Sequence, residues 1–188
     1  MYISVTFVII KDMKHLSSLL LSTLFIFSCA ENHSYTSRVL NADAENESWL
    51  LHGRTYDESR FSPLRDINDS NVHELGLAWS FETGTNRGHE TTPIVVDGMM
   101  FITAPWSVVF ALDAKTGKQI WSFDPKADKD WARNACCDVV NRGVAVWGDQ
   151  VVFATIDGRL ISLDKYSGAV NWDVLTIDKS KPYTITGA

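Results

Sequence analysis

Between Val95 and Trp172 the apolar positions fall in short runs broken by glycine, aspartate or asparagine, and no stretch keeps the roughly 3.6-residue spacing of a long helix. Val95-Val96-Asp97-Gly98-Met99-Met100-Phe101-Ile102-Thr103 reads as strand, tight turn, strand, and so does Ala145-Val146-Trp147-Gly148-Asp149-Gln150-Val151-Val152-Phe153-Ala154-Thr155. Asp97-Gly98 and Gly148-Asp149 are two-residue hairpin signals, because such turns need the positive φ that glycine adopts without steric cost. Thr116-Gly117 and Ser167-Gly168 are expected to act the same way one hairpin later. The flanking Val, Ile, Phe and Thr suit a pleated, half-buried sheet.

These segments repeat. Ala111-Leu112-Asp113-Ala114-Lys115-Thr116-Gly117-Lys118-Gln119-Ile120-Trp121 aligns without gaps to Ser162-Leu163-Asp164-Lys165-Tyr166-Ser167-Gly168-Ala169-Val170-Asn171-Trp172, a period of about fifty residues. Each unit is therefore four strands joined by three turns and closed by a tryptophan. Trp79, in Leu77-Ala78-Trp79-Ser80-Phe81, ends an earlier strand in the same way. A four-stranded sheet repeated radially is a β-propeller blade, and a flat ring on its outer strand can dock on the glycine-containing turn of its neighbour. A β-sandwich with core tryptophans is the alternative, but it does not require such a motif to recur at fixed spacing. The fold class is thus all-β, with two blades and part of another. Two blades do not close a ring, so the expectation is the N-terminal part of a longer propeller. Ahead of the repeats, Asn71-Val72-His73-Glu74-Leu75-Gly76 predicts one capped helical turn.

The N-terminus has a different pattern. Met13, Lys14 and His15 precede an apolar stretch, Leu16 to Phe27, that is followed by Ser28-Cys29-Ala30. Residues 1–29 read as a signal peptide, with Met13 as an alternative start, since the run is too short to span a bilayer. Ile26-Phe27-Ser28-Cys29 resembles a bacterial lipoprotein cleavage box, which would anchor the chain to lipid through Cys29; an ordinary cleaved signal is the other reading. Either places the mature chain in the periplasm, free or as a membrane-anchored lipoprotein, where disulfides persist. Residues 30–48 are polar and predict a solvated tether, leaving 49–188 as the propeller segment.

Composition narrows the class. The 188 residues are 45% apolar and carry 17 Lys+Arg against 23 Asp+Glu. A packed core is expected, and no positive field favours nucleic acid. Seven Trp are the outlier, and the repeat places three of them, Trp79, Trp121 and Trp172. Of the three Cys, Cys136 and Cys137 are adjacent, in a loop between the two units that reads Ala135-Cys136-Cys137-Asp138-Val139-Val140-Asn141-Arg142-Gly143. Consecutive Cα atoms lie about 3.8 Å apart, below the usual disulfide range, so a bond between them would close a stiff, strained ring. Two reduced thiols or a metal site are the alternatives; an oxidising compartment argues against the first and the lack of further Cys or a nearby His against the second. Asp138 and Asn141 read as loop-shaping residues, and His52, His73 and His89 as surface or packing residues.

The Cys-Cys-Asp-Val-Val-Asn-Arg-Gly run, with Gly53-Arg54-Thr55-Tyr56-Asp57-Glu58-Ser59-Arg60-Phe61-Ser62-Pro63-Leu64 and Gly88-His89-Glu90-Thr91-Thr92-Pro93, resembles the pyrroloquinoline quinone (PQQ) dependent alcohol dehydrogenases, and most closely the quinohaemoproteins. Methanol dehydrogenase large subunits share the Cys-Cys run. The resemblance extends from about Trp49 to Ala188. It implies an eight-bladed propeller with PQQ and Ca²⁺ on its axis, periplasmic oxidation of a primary alcohol to an aldehyde, and an electron acceptor such as a cytochrome c. A haem c domain would lie in a C-terminal region. It also implies that Cys136 and Cys137 form a vicinal disulfide against one face of the quinone, that Arg142 pairs with a cofactor carboxylate, that Glu90 bonds its polar rim, and that Thr186 contacts another carboxylate. A planar tricarboxylate needs a rigid plate and edge donors, and arginine is the planar donor suited to carboxylates. The catalytic Asp and the calcium ligands of that family are expected beyond Ala188, so no catalytic or metal residue is assigned here and the segment alone is expected to be inactive. The rival is a non-catalytic propeller lipoprotein serving as an assembly scaffold; that reading gives the Cys-Cys-to-Arg loop no role.

Overall fold

The computed structural model describes residues 3–5 and 35–188. Residues 3–5 aside, the export signal lies outside the described residues, as do Cys29 and the start of the polar linker. In chain order the elements are β1 (Ile3–Val5), α1 (Tyr35–Leu40), β2 (Trp79–Phe81), β3 (Ile94–Val96), β4 (Met99–Ala104), β5 (Val108–Asp113), β6 (Gln119–Phe123), β7 (Ala145–Trp147), β8 (Gln150–Ala154), β9 (Arg159–Asp164) and β10 (Val170–Leu175). β3 to β6 form one antiparallel four-stranded sheet in sequence order, and β7 to β10 form a second. β1 pairs with β2. The two repeats are thus two blades, each a meander.

The turns separate two chemistries. At Asp97-Gly98 both residues have positive φ, 53° and 74°, and Val96 pairs directly with Met99, as in a two-residue hairpin. The later turns differ from expectation, because the loop is longer than two residues. Asp113 N donates to Lys118 O and Gly117 N to Asp113 O, each at 2.8 Å. The Asp113 carboxylate accepts from Thr116 N and Thr116 Oγ1, both at 2.7 Å. Asp164 does the same for Ser167 N and Oγ, at 2.8 and 2.7 Å. A side chain that replaces backbone partners makes the wider loop competitive, and only the glycine, at φ 70° or 72°, needs the left-handed region.

Those glycines receive the tryptophans. A methyl group on Gly117 would collide with the Trp79 ring, and one on Gly168 would lie 2.8 Å from Trp121 Cδ2. Trp121 Nε1 also donates to Lys165 O at 2.9 Å. Between the sheets, Val96, Phe101, Val109, Ala111 and Trp121 pack with Val146, Val151, Phe153, Ile161 and Leu163. The other face of the first sheet, led by Met100, Ile102, Phe110 and Leu112, packs under Trp79 and Phe81. Every residue of β4 is consequently buried.

Two local expectations are corrected. Residues 35–48 are folded onto the blades and do not form a solvated tether. Tyr35 and Val39, one turn apart on α1, are 6% and 2% exposed and join the inter-sheet core. Arg38 pairs with Glu45 at 2.7 Å and with Asp97 at 2.9 Å, while Lys165 of the second sheet reaches Asp97 at 2.8 Å. The polar composition concealed this because the charges are spent on partners far along the chain. The predicted capped turn exists as a single 3₁₀ turn, Val72–Glu74, but Asn71 makes no side-chain cap. Its Oδ1 accepts from Asn68 N at 2.8 Å, so the loop upstream uses the oxygen that a cap would need.

Candidate cofactor-binding site

The loop between β6 and β7 is built from anchored ends inward. Asp128 caps the 3₁₀ segment Lys129–Asn134 by accepting from Asp130 N at 3.0 Å, and Ala135 N closes it on Ala132 O at 3.0 Å. Cys136 and Cys137 follow as a disulfide between neighbours, Cα atoms 3.8 Å apart, with both residues exposed. Asp138 turns the chain with φ 73° and pairs with Arg87. Val139 and Val140 are buried again, and Trp106 N donates to Val139 O at 2.9 Å.

Asn141, 2% exposed, fixes the loop to both sheets. Its Nδ2 donates to Ala154 O at 2.8 Å and Ser107 Oγ at 3.2 Å, its Oδ1 accepts from Gly143 N at 3.0 Å, and its carbonyl accepts from Thr103 Oγ1 at 3.1 Å. All four contacts are inside the fold, as the loop-shaping role requires. Gly143, at φ 134°, lies so close to the first sheet that a Cβ would sit 3.0 Å from Thr92 O.

Arg142 stands where three segments meet. Its backbone accepts from Thr92 N at 2.9 Å and donates to Thr186 O at 3.0 Å, lacing together the approaches to β3 and β7 with the segment around Thr186. Its guanidinium lies 3.3 Å from Glu90 Oε2 and donates to Thr186 Oγ1 at 2.7 Å. The Arg142 and Glu90 side chains are 46% and 42% exposed, so the cluster is open to a ligand. Beside it, His89 Nε2 is 2.8 Å from Thr83 Oγ1, and burial holds this imidazole below its ordinary pKa against the opposing Arg87 carbonyl region, favouring the neutral form.

Three of the five residues singled out from sequence, Glu90, Arg142 and Thr186, are thus in one cluster, and the other two are the disulfide on the same loop as Arg142. Their roles toward a ligand are a separate matter from this placement. Sequence reasoning missed Arg87 and Trp106. Arg87 is 51 residues from Asp138 and belongs to no spacing pattern; Trp106 sits with positive φ after Pro105, outside the repeat that flagged Trp79, Trp121 and Trp172. Among the described residues no group of three or more His, Cys, Asp or Glu is placed to hold a metal ion. Chemically, the site offers a rigid exposed sulfur plate and a half-exposed cation steadied by a hydroxyl and a carboxylate. That set suits a flat anionic ligand.

Residues 49–173 match the family described as glucose/ethanol/alcohol dehydrogenase, β-propeller domain. The chain is 53% identical over 153 residues to quinohemoprotein alcohol dehydrogenase ADH-IIG of Pseudomonas putida, covering 81% of this chain and 21% of that protein. It is 51% identical over 146 residues to 1-butanol dehydrogenase (cytochrome c) of Thauera butanivorans, covering 77% and 21%. Among solved structures, the Pseudomonas putida ADHIIG enzyme superposes with a TM-score of 0.78 at 52% identity, covering 80% of this chain and 22% of that one. The quinohemoprotein alcohol dehydrogenase of Comamonas testosteroni gives 0.76 at 45% identity, covering 79% and 22%. The chain therefore spans about a fifth of the length of these relatives.

Proposed function

The chain belongs to the glucose/ethanol/alcohol dehydrogenase β-propeller family, and from that membership we propose that it is the N-terminal, cofactor-clamping part of a periplasmic, PQQ- and Ca²⁺-dependent dehydrogenase oxidising primary alcohols to aldehydes. The observation that carries this reading is the meeting of Glu90, Arg142 and Thr186 on the loop system that presents the Cys136–Cys137 disulfide. The residues fit the group. The disulfide is exposed instead of packed into the core, and the Arg142 guanidinium is held by side chains yet remains half-exposed. A buried disulfide or a fully sequestered arginine would not receive a planar tricarboxylate.

When bound, PQQ supplies the oxidising equivalents for the alcohol. This chain's residues bind and orient. Cys136 and Cys137 form the plate against one face, and their short ring leaves them few conformations to lose on binding. Arg142 pairs with a carboxylate, its orientation fixed beforehand by Thr186 and by the two backbone bonds on either side. Glu90 neutralises part of the arginine's charge and would offer its second oxygen to the ligand's polar rim. The acceptor proposed for the electrons is a cytochrome c, in line with the printed name of the Thauera relative.

The test uses the complete gene product. PQQ with Ca²⁺ should support dye-linked oxidation of a primary alcohol, and Arg142→Ala should weaken PQQ binding on the order of ten- to a hundredfold, the range for losing a hydrogen bond to a charged group. Unchanged affinity in that variant would refute the assignment of Arg142.

A further inference from the structure

We propose that Arg87 is a positioning residue for the vicinal disulfide: it clamps the left-handed residue that follows Cys137 and so holds the sulfur plate in its oxidised, presented form. This extends the reading above from the residues that touch a cofactor to one that acts through the loop, and it rests on that reading only for why the plate is presented.

The disulfide occupies a short exposed step between two tethered ends. Upstream, Ala135 is bonded to Ala132, and both pack with Trp106 against the small core of Ala127, Val139 and Ile156. Downstream, Asp138 adopts φ 73°, which costs a side-chain-bearing residue energy and must be compensated locally. The compensation comes from a different segment. Arg87 pairs with the Asp138 carboxylate, and its Cζ lies 5.8 Å from the Trp106 ring centroid, while Trp106 N bonds Val139 O. Arg87 therefore joins the first residue after the disulfide to the ring under the next one. Lys129, 5.9 Å from the same ring, does not pair with Asp138 and leaves that role to Arg87.

Reducing the disulfide leaves the two Cα atoms about 3.8 Å apart, as any trans peptide does, but frees the two sulfurs to separate and the backbone on either side to relax, which the clamp on Asp138 opposes. Loss of the clamp should shift the equilibrium toward the dithiol. The reaction is two glutathione thiols plus the protein disulfide giving one glutathione disulfide plus two protein thiols, a two-electron, two-proton exchange. The experiment equilibrates the full chain in graded reduced and oxidised glutathione, traps thiols by alkylation, and reads the peptide carrying Cys136 and Cys137 by mass spectrometry. No cofactor enters, so a negative result here leaves the PQQ reading intact, and failure of PQQ binding leaves this inference intact.

Arg87→Gln and Asp138→Asn should each favour the dithiol about three- to fivefold, the scale of a partly exposed ion pair, and the double variant should add little to either. Asp138→Asn keeps a residue that tolerates the left-handed region while removing the charge, so it separates the carboxylate's role from the backbone's. Melting temperature should stay within a degree or two of the parent, and Lys115→Gln should leave the equilibrium where it is. Parent-like equilibria in both single variants, or effects that simply add in the double variant, would overturn the proposal.

Discussion

Trp121 and Trp172 hold the same place in two consecutive sheets and have opposite surroundings. Trp121 is 8% exposed, lies on Gly168 and bonds Lys165 O; Trp172 is 36% exposed, in a strand whose six residues are all exposed. The motif is the same, so the difference is the neighbour. Most of what stabilises a blade therefore resides at the boundary with the next one, as expected for repeats that contact only adjacent copies. The first sheet is covered by Trp79 and Phe81 on one face and by the second sheet on the other, so both of its faces are packed.

The sharpest way to break the comparison is to remove each ring in turn. Trp121→Ala should destabilise the chain by roughly 3–5 kcal/mol, the range for deleting a buried aromatic, while Trp172→Ala should cost under about 1 kcal/mol. Denaturant melts of the two variants decide it, and equal losses would mean that the boundary is not the seat of stability. Next come the glycines that receive the rings. Gly168→Ala should cost about 1–3 kcal/mol, combining overpacking against Trp121 with a left-handed φ. Gly148→Ala, at φ 58° but with open space around it, should cost only about 1 kcal/mol for the backbone alone. A thermal melt that ranks them the other way would assign the constraint to the turn and not to the ring.

The smallest effect concerns the ionic latch across the same boundary. Burial would raise the pKa of Asp97, but hydrogen bonds from Lys165 and Arg38 outweigh it and leave the carboxyl below its ordinary value; Lys165, opposed by its own burial, is raised by Asp97. A depressed carboxyl contributes stability above its unfolded pKa of about 3.9, and that contribution disappears as pH falls through the lower folded value. The raised lysine contributes fully below about 10.4 and is lost as pH climbs above it. Asp97→Asn should therefore flatten both limbs of the stability profile, by under about 1 kcal/mol because Asp97 is 37% exposed on its side chain. A profile of unchanged shape would remove the latch from the boundary's account.

What could be read from the sequence was what repeats or sits within one segment. The Asp-to-Trp motif revealed the blades and the rings, and the adjacent cysteines marked the loop between them. The roles expected of Cys136, Cys137, Arg142, Glu90 and Thr186 all came through resemblance, and the fold brings Glu90 and Thr186 to Arg142. What remained hidden was pairing over distance. Asp97 with Lys165, Arg87 with Asp138, and Tyr35 with Leu50 O have no local signature, since the partners stand 68, 51 and 15 residues apart in the sequence. The turns after Asp113 and Asp164 were misjudged for a different reason: glycine marks where φ is positive but not how many residues the side-chain cap takes into the loop.

The seating of Trp121 on Gly168 has a geometric consequence. It joins unlike surfaces, ring to bare backbone, so successive copies relate by a rotation that never reverses, and such head-to-tail joints either close on themselves or wind open. The thickness of one indole against no side chain acts as a spacer at the rim, setting the wedge between neighbouring sheets. The angle between the two sheets then depends on this seat as well as on the side chains packed between them.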